Sequence, residues 1–334
     1  MSSVVGVLEL INEIKRIKNK MIVIFAKILS IFSIVLIGFI ANKLNWLPIE
    51  SSKYLSKILI NISAPCLILY SMSYQKMSEN ALTPIIEVIS LMLIVLIICS
   101  LISIPIVKTM RVNKGDRGIY RLMLICTNSG FIGFPLAQAV FGNEGLFLMI
   151  LANATFSIFL FTGGVLLLTY DTNREKKSFS ELLKSLISVP MVASISGLAI
   201  FLFNLSFPEI LENMLSTVGA MTTPISMLII GIQLPGIKLK QMIMDKHLLL
   251  TTIIRLILIP VALFTVLINF NITPLVLCVI VFAMALPSAA LIVVFADEYR
   301  LNARLASEGV LLTTSLSLVT IPIAAALLTA YLGV

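Results

Sequence analysis

The segment that decides the fold reads Thr127-Asn128-Ser129-Gly130-Phe131-Ile132-Gly133-Phe134-Pro135-Leu136. It lies inside an apolar run, yet it combines polar side chains with two glycines and a proline. Proline removes a backbone donor and clashes with the preceding turn, and glycine weakens a helix further. If the run crosses a bilayer, the freed backbone groups must be satisfied by protein or by a water-filled cavity. The segment therefore predicts an interrupted helix.

The composition decides the class of protein in which this helix occurs. The chain has 334 residues, of which 59% are hydrophobic and 12% are charged. Ordinary globular domains have about 45–50% apolar and about 25% charged residues. A soluble protein of this length would need more polar side chains to cover its surface. The composition indicates an all-α polytopic membrane protein, and it excludes a soluble enzyme, a disordered chain and a disulfide-rich secreted scaffold.

The apolar runs predict ten transmembrane spans, since about 20 helical residues cross a bilayer core. The runs cover residues 21–42, 53–73, 83–107, 119–141, 145–170, 187–206, 208–232, 247–268, 274–296 and 305–333. Basic residues cluster after odd-numbered spans, and Lys76 is the only one in a link after an even-numbered span. We therefore predict that odd links are cytoplasmic and that both termini lie outside the cell membrane. Residues 1–20 form an N-terminal extension, which is either an amphipathic surface helix or a segment upstream of an original start at Met21.

The two halves of the chain show a weak repeat of glycines and prolines. Four pairs occur in matching order and at similar spacing: Gly38 with Gly197, Pro65 with Pro224, Pro105 with Pro260, and Pro135 with Pro287. Because each half holds five spans, an odd number, the second half must cross the membrane upside down, as in many secondary transporters. We predict repeat 1 at residues 21–170, a cytoplasmic linker at 171–186 and repeat 2 at 187–334. Spans 4 and 9 are then the broken crossover helices.

Broken helices near the midplane expose half-helix N-termini, whose partial positive charge suits an anion. The alternative is a pair of ordinary proline kinks. The predicted substrate-binding residues are Asn128, Ser129, Gly130, Gly133, Pro135, Pro287 and Ser288. Residues that could line or support the pathway are Asn61, Ser63, Asn153, Thr222, Thr223, Gln233 and Arg255. Polar residues of this second group more often hydrogen-bond between helices, whereas a charge as deep as Arg255 could attract an anion or pair with a carboxylate.

Two strings resemble a known family. The first is Asn128-Ser129 with Gly133-Phe134-Pro135-Leu136 and Phe141-Gly142, and the second is Ala285-Leu286-Pro287 with Val294-Phe295-Ala296 and Glu298-Tyr299. Both are similar to the auxin efflux carrier family, which includes bacterial carriers and the plant PIN proteins, and the resemblance runs from about residue 21 to 334.

The resemblance implies a ten-helix fold shared with bile-acid symporters and Na⁺/H⁺ antiporters. Spans 1, 2, 6 and 7 would form a scaffold, which is often dimeric, and spans 3–5 and 8–10 a transport domain that moves as an elevator. In plant members an asparagine at the span-4 crossover contacts the substrate carboxylate, and Asn128 matches it. Thr127 replaces the plant motif's proline and the central loop is short, so the resemblance implies a small organic anion more than auxin itself.

The sequence therefore predicts a secondary transporter of a carboxylate such as malate, malonate or an auxin-like acid. The expected partners are this anion, membrane lipid and a second copy of the chain bound through the scaffold; no nucleic acid, cofactor, metal or catalytic residue is expected. One alternative is a receptor or channel without alternating access. A membrane enzyme would need a nucleophile facing a base, and the polar cluster lacks an acid, a histidine or a lysine.

Overall fold

A computed structural model of the chain describes residues 26–75, 82–171, 188–236 and 239–333. Within these ranges the regular elements are helices. They are α1 Ala26–Lys43, α2 Ser51–Tyr74, α3 Leu82–Thr109, α4 Lys114–Ile125, α5 Ser129–Thr169, α6 Val189–Leu202, α7 Glu209–Gln233, α8 Leu239–Met244, α9 Lys246–Leu267, α10 Pro274–Ala285, α11 Leu291–Glu298 and α12 Ala303–Leu332. The predicted all-α class is therefore confirmed for the described residues.

The lengths of the helices fit a protein that crosses the membrane several times. Among the described residues, 7 helices are long and apolar enough to span a bilayer, and α6 and α10 are shorter apolar helices. Helix α5 has 41 residues and bends at Gly142, whose φ of 72° is a conformation that favours glycine. The predicted extension at residues 1–20 and nearly all of the predicted linker at 171–186 lie outside the described residues.

The outer surface of the helices is apolar, as a lipid environment requires. Helix α3 exposes a row of large aliphatic side chains, namely Ile86, Leu93, Ile94, Ile97, Ile98, Leu101 and Ile102. A soluble monomer rarely exposes so much contiguous apolar surface. Facing acyl chains, these side chains lose nothing by their exposure, because lipid tails are as apolar as they are.

Glycines bring α1, α2, α6 and α7 close together. A Cβ atom added at Gly38 of α1 would lie 2.6 Å from the carbonyl oxygen of Leu228 in α7. A Cβ atom added at Gly197 of α6 would lie 2.8 Å from Cγ of Met72 in α2, and Gly219 of α7 packs equally closely on α2. Small residues let helix backbones approach in membranes, where packing rather than exclusion from water holds helices together. These four helices therefore form one tightly packed group.

The Gly38 contact gives a first prediction. We expect Gly38→Ala to lower the free energy of unfolding by about 1–3 kcal/mol, because the new methyl group meets backbone and no side-chain rotation can relieve the clash. The matched control is Gly115→Ala in α4, where an added Cβ meets nothing within 4 Å. Alanine is the better helix former, so this control should be neutral or slightly stabilising. Thermal unfolding in detergent measures both variants, and equal unfolding temperatures would refute the close contact.

One carboxylate fixes the start of α10. The backbone N–H of Thr273, directly before Pro274, donates to Glu87 Oε2 of α3 at 3.1 Å. The first amide groups of a helix lack intrahelical acceptors, and a negative charge there is favourable. Glu87 therefore ties α3 to the start of α10, and the other end of α10 leads into the break before α11.

Asp171, which follows the end of α5, joins that helix to α4. Arg121 is 1% exposed and its Nη2 lies 2.5 Å from Asp171 Oδ2. Its Nη1 donates to the carbonyl oxygen of Leu167 at 3.3 Å, and its guanidinium lies 5.2 Å from the centre of the Tyr170 ring. Arg117 is a second cation near the same carboxylate, at 3.7 Å. Basic residues that the sequence offers only as orientation signals are thus part of a buried ion-pair network.

Candidate functional site

Two helix breaks pair with each other inside the bundle. The first covers residues 126–128, between α4 and α5, and the second covers residues 286–290, between α10 and α11. The N–H of Asn128 donates to the carbonyl oxygen of Pro287 at 2.9 Å, and the N–H of Ala289 donates to that of Cys126 at 3.1 Å. Thr127 and Ser288 face each other between these bonds in an antiparallel bridge. The paired breaks therefore satisfy each other's backbone groups where no water is at hand.

Hydroxyl groups of the paired breaks stabilise the ends of the opposite helices. Ser288 Oγ donates to the carbonyl oxygen of Met123 at 2.9 Å, and Thr127 Oγ1 donates to that of Ala283. Both carbonyls lie in the last turn of a helix, where intrahelical donors are missing. Ser288 is fully buried, and its N–H donates to Thr313 Oγ1 at 3.2 Å. Its hydroxyl proton is thus used within the protein, and its contact with a substrate stays a prediction.

The first break lies earlier in the chain than its glycines and proline suggest. Gly130, Gly133 and Pro135 all lie in the helical part of α5, which opens with a π-helical turn at Ser129–Gly133. Pro135 follows directly on this turn, as the second residue of the regular α-helical part that begins at Phe134. Gly133 packs closely on the second break, since a Cβ atom there would lie 2.8 Å from Cδ1 of Leu286. In the second break Pro287 itself is part of the extended segment, and Leu286 before it has a ψ of 154°.

Four residues form a polar corner at the start of α5, namely Asn128, Ser129, Gly130 and Asn153. Ser129 is buried and its Oγ donates to Asn153 Oδ1 at 2.7 Å. A Cβ atom added at Gly130 would meet a single neighbouring atom within 4 Å, Asn153 Oδ1 at 3.6 Å. The backbone is therefore open on this side. Sequence reasoning offered Asn153 only as a pathway residue, and the structure brings it to the predicted core of the site.

Asn128 occupies the N-cap position of α5 without acting as a cap. An N-cap asparagine usually accepts a hydrogen bond from the second or third amide of its helix, but the Asn128 side chain makes no such bond. The residue is half-buried and directly precedes the first amide groups of the helix, which have no intrahelical acceptor. Together with the positive end of the helix dipole, these donors suit a carboxylate.

An apolar cluster of α2 and α7 residues borders the polar corner. Phe131, the residue after Gly130, packs with Leu59 of α2 and with Ile225 and Ile229 of α7. The first turn of α5 thus presents polar groups and an aromatic ring on neighbouring positions. This contact places the polar corner at the boundary between the group of α1, α2, α6 and α7 and the remaining helices.

The other predicted pathway residues lie on helices around the polar corner. On α2, Asn61 is exposed, whereas Ser63 is buried and its hydroxyl donates to Leu59 O at 3.4 Å. On α7, Thr222 is buried with a hydroxyl that has no partner, and Thr223 and Gln233 are half-buried. Ser63 is therefore engaged within its own helix, and a role in the pathway remains a prediction for all five.

Arg255 lies in α9, the helix that corresponds to predicted span 8, and it is fully buried. Its Nη1 donates to the carbonyl oxygen of Leu124 at the end of α4, at 3.1 Å.

In the part of the chain that the structure describes, no three His, Cys, Asp or Glu residues are grouped as metal ligands would be.

Long apolar helices and paired helix breaks define a multi-pass α-helical membrane protein. The chain matches the profile of the family described as "Membrane transport protein" over residues 23–325, and it belongs to that family, which contains the auxin efflux carriers. The resemblance drawn from the two strings is therefore confirmed. The chain is also similar to an uncharacterised transporter of Methanocaldococcus jannaschii, which is 27% identical over 88% of this chain and 95% of the relative. An uncharacterised transporter of Methanothermobacter thermautotrophicus is also 27% identical, over 89% of this chain and 95% of the relative. The family and both relatives are described as transporters.

Proposed function

We propose that this protein is a secondary transporter that moves a small organic anion across the cell membrane by alternating access. The observation that carries the proposal is the Asn128 side chain, which stands at an N-cap without capping its helix. Uncommitted amide donors at the positive end of a helix are suited to a carboxylate. Malate, malonate and auxin-like acids are the candidate substrates.

An inverted repeat of five and five spans is part of the proposal, and the paired breaks support it. Two hydrogen bonds join the breaks, from Asn128 to Pro287 and from Ala289 to Cys126. If each residue of one break is matched with its equivalent in the other, Cys126 with Pro287 and Asn128 with Ala289, one bond becomes the other. Any antiparallel pair shows this local exchange, and a two-fold axis between the repeats would place such a pair where the two breaks meet. The exchange relates Pro287 to Cys126, whereas the sequence repeat pairs Pro287 with Pro135, and that pairing stays a prediction.

Helix packing supports the same axis. Gly38 of α1 packs on Gly231 of α7, and Gly197 of α6 packs on Met72 of α2. The number of residues from Gly38 to Gly197 equals the number from Met72 to Gly231. A contact between spans 1 and 7 therefore has a counterpart between spans 6 and 2, as expected when the two repeats are inverted copies.

We further propose that α1, α2, α6 and α7 are the scaffold and that α3–α5 and α9–α12 move as one transport domain. Aromatic pairs join the second group: Phe141 with Phe282, Phe161 with Phe295, and Phe264 with Tyr331. The boundary beside the polar corner is the apolar contact of Phe131 with Leu59 and Ile225. Apolar side chains can slide past each other without breaking hydrogen bonds, which suits an elevator movement.

A counterflow experiment tests the proposal. Proteoliposomes are loaded with unlabelled malonate, malate or indole acetate, and entry of the same labelled acid is measured. A carrier exchanges internal for external substrate, so we expect transient accumulation of label above the level in protein-free liposomes. A channel would equilibrate the label without accumulation, and a receptor would bind it without flux. Label entry equal to that of protein-free liposomes with all three acids would contradict the proposal.

A further inference from the structure

Arg255 is a buried cation without a carboxylate partner in the described part of the chain. It lies in a π-helical turn of α9, Ile254–Leu258, and its relative exposure is 0%. The carboxylates that form side-chain ion pairs in this part of the chain bind other cations, namely Arg117, Arg121 and Arg304. One backbone carbonyl, that of Leu124, accepts from its Nη1. A helix C-terminus carries only about half an elementary charge, so this contact balances the guanidinium only in part.

The unpaired donors of Arg255 lie on one edge of the guanidinium. Its Nε and Nη2 are buried and have no hydrogen-bond partner. The N–H groups on this edge point in the same direction, and this is the geometry with which arginine binds a carboxylate or similar anion through two parallel bonds. A buried charged donor without an acceptor is costly, about 1–3 kcal/mol or more. No group in the described part of the chain accepts a hydrogen bond from this free edge, Nε and Nη2. An acceptor from outside the protein would therefore stabilise it.

The surroundings of the free edge differ from the polar corner. The thiols of Cys99 in α3 and Cys126 in the first break lie close enough to Arg255 to interact with its charge. Thiols are weak acceptors. The turn of α9 that carries Arg255 packs against α4, α10 and α12, whereas the polar corner belongs to α5 and borders α2 and α7.

We propose that the free edge of Arg255 binds one small anion, a halide or a compact oxyanion such as chloride or nitrate, between α9 and the end of α4. The anion accepts from Nε and Nη2, balances the guanidinium charge, and thereby holds the end of α4 in place at the first break. Its source is either an inorganic ion or the carboxylate of the transported substrate. The effect of the anion on stability does not depend on transport, whereas the substrate as its source rests on the proposed function.

Thermal unfolding of the full chain in detergent tests the site. Sodium gluconate, whose anion is too large to be enclosed, is replaced stepwise by chloride, nitrate or malonate at constant ionic strength. For the wild type we expect an unfolding temperature that rises and saturates at millimolar anion, since a ligand of the native state stabilises it. Arg255→Met should lose this response. The matched control is Arg304→Met, which removes an exposed arginine paired with Glu308 and should keep the response.

Three outcomes would overturn the proposal: no saturating response in the wild type, an equal response in Arg255→Met, or a response lost equally in Arg304→Met. Two parallel donors suit an oxyanion, so the wild type should respond at a lower concentration of nitrate than of chloride. If Arg255→Met does not fold, Arg255→Lys keeps the charge and removes the two-donor edge, and it should lose this preference. An unchanged preference in that variant would also overturn the proposal.

The source of the anion is resolved by Asn128→Ala in the same assay. A chloride response that survives in Asn128→Ala supports an inorganic ion at Arg255. A malonate response lost in both Asn128→Ala and Arg255→Met supports the substrate carboxylate as the ligand. Failure of counterflow together with an intact, Arg255-dependent response would refute the transport proposal alone.

Discussion

Replacing Asn128 with alanine is expected to reduce carboxylate transport at least about 10-fold while the protein remains folded. The variant removes an amide that makes no capping bond in the structure, so the helix loses little. The substrate loses a hydrogen bond to a charged group, which contributes about 1.5–3 kcal/mol. Since every 1.4 kcal/mol corresponds to about tenfold in affinity, a loss of about 10- to 100-fold follows. Initial rates of labelled malonate uptake at low concentration are the measurement.

Asn143→Ala is the matched control for Asn128→Ala. Asn143 lies in the same helix just after Gly142, and its Oδ1 accepts from Gln138 Nε2 at 3.3 Å. The same chemical change outside the polar corner should leave uptake within about twofold of the wild type, a difference of less than about 0.5 kcal/mol. Equal uptake by Asn128→Ala and wild type, at equal amounts of folded protein, would remove Asn128 from the binding site.

The second large effect is expected for Asp171→Asn, which should lower the free energy of unfolding by about 3–5 kcal/mol. The amide leaves the buried guanidinium of Arg121 without its counter-charge, and Arg117 also loses its acid. Removing one partner of a buried pair costs more than the pair itself contributes, because the other charge remains buried. Chemical unfolding in detergent, followed by circular dichroism, measures the change.

Glu308→Gln is the control for this variant, because it removes the acid from an exposed pair. The Arg304 side chain is 85% exposed and its Nε lies 2.8 Å from Glu308 Oε1. Exposed pairs of this kind contribute little to stability, because solvent screens the two charges. An Asp171→Asn variant no less stable than Glu308→Gln would show that the Arg121 pair is not buried in the protein as the structure has it.

The existence of the first break could be predicted from sequence, but its position could not. Gly130, Gly133 and Pro135 indicate a weak helix, which is a local property of the chain. The break nevertheless falls at residues 126–128, because the second break supplies backbone partners there, at Pro287 and Ala289. Partners so far apart in the chain leave no local signal.

The same reason explains why several side-chain roles remain hidden in the sequence. Arg121 and Asp171 are 50 residues apart, and Ser288 and its acceptor Met123 are 165 apart. Hydrophobic periodicity reports which face of a helix is buried and says nothing about which buried polar groups meet. Asn128 could be selected because it stands beside glycines in an apolar run. Asn153 carries no such signal, and only the fold places it beside Ser129.

The most direct test of the central claim, that the polar corner faces the two sides of the membrane in turn, is labelling of Gly130→Cys. The site tolerates the new side chain, since a Cβ atom meets only Asn153 Oδ1 at 3.6 Å. Half-buried Cys66 and Cys99 are first replaced by alanine, and a membrane-impermeant maleimide is applied to vesicles of either orientation. We expect the cysteine to react from both sides, with the balance between the sides shifted by malonate. Reaction from one side alone, with and without malonate, would contradict alternating access.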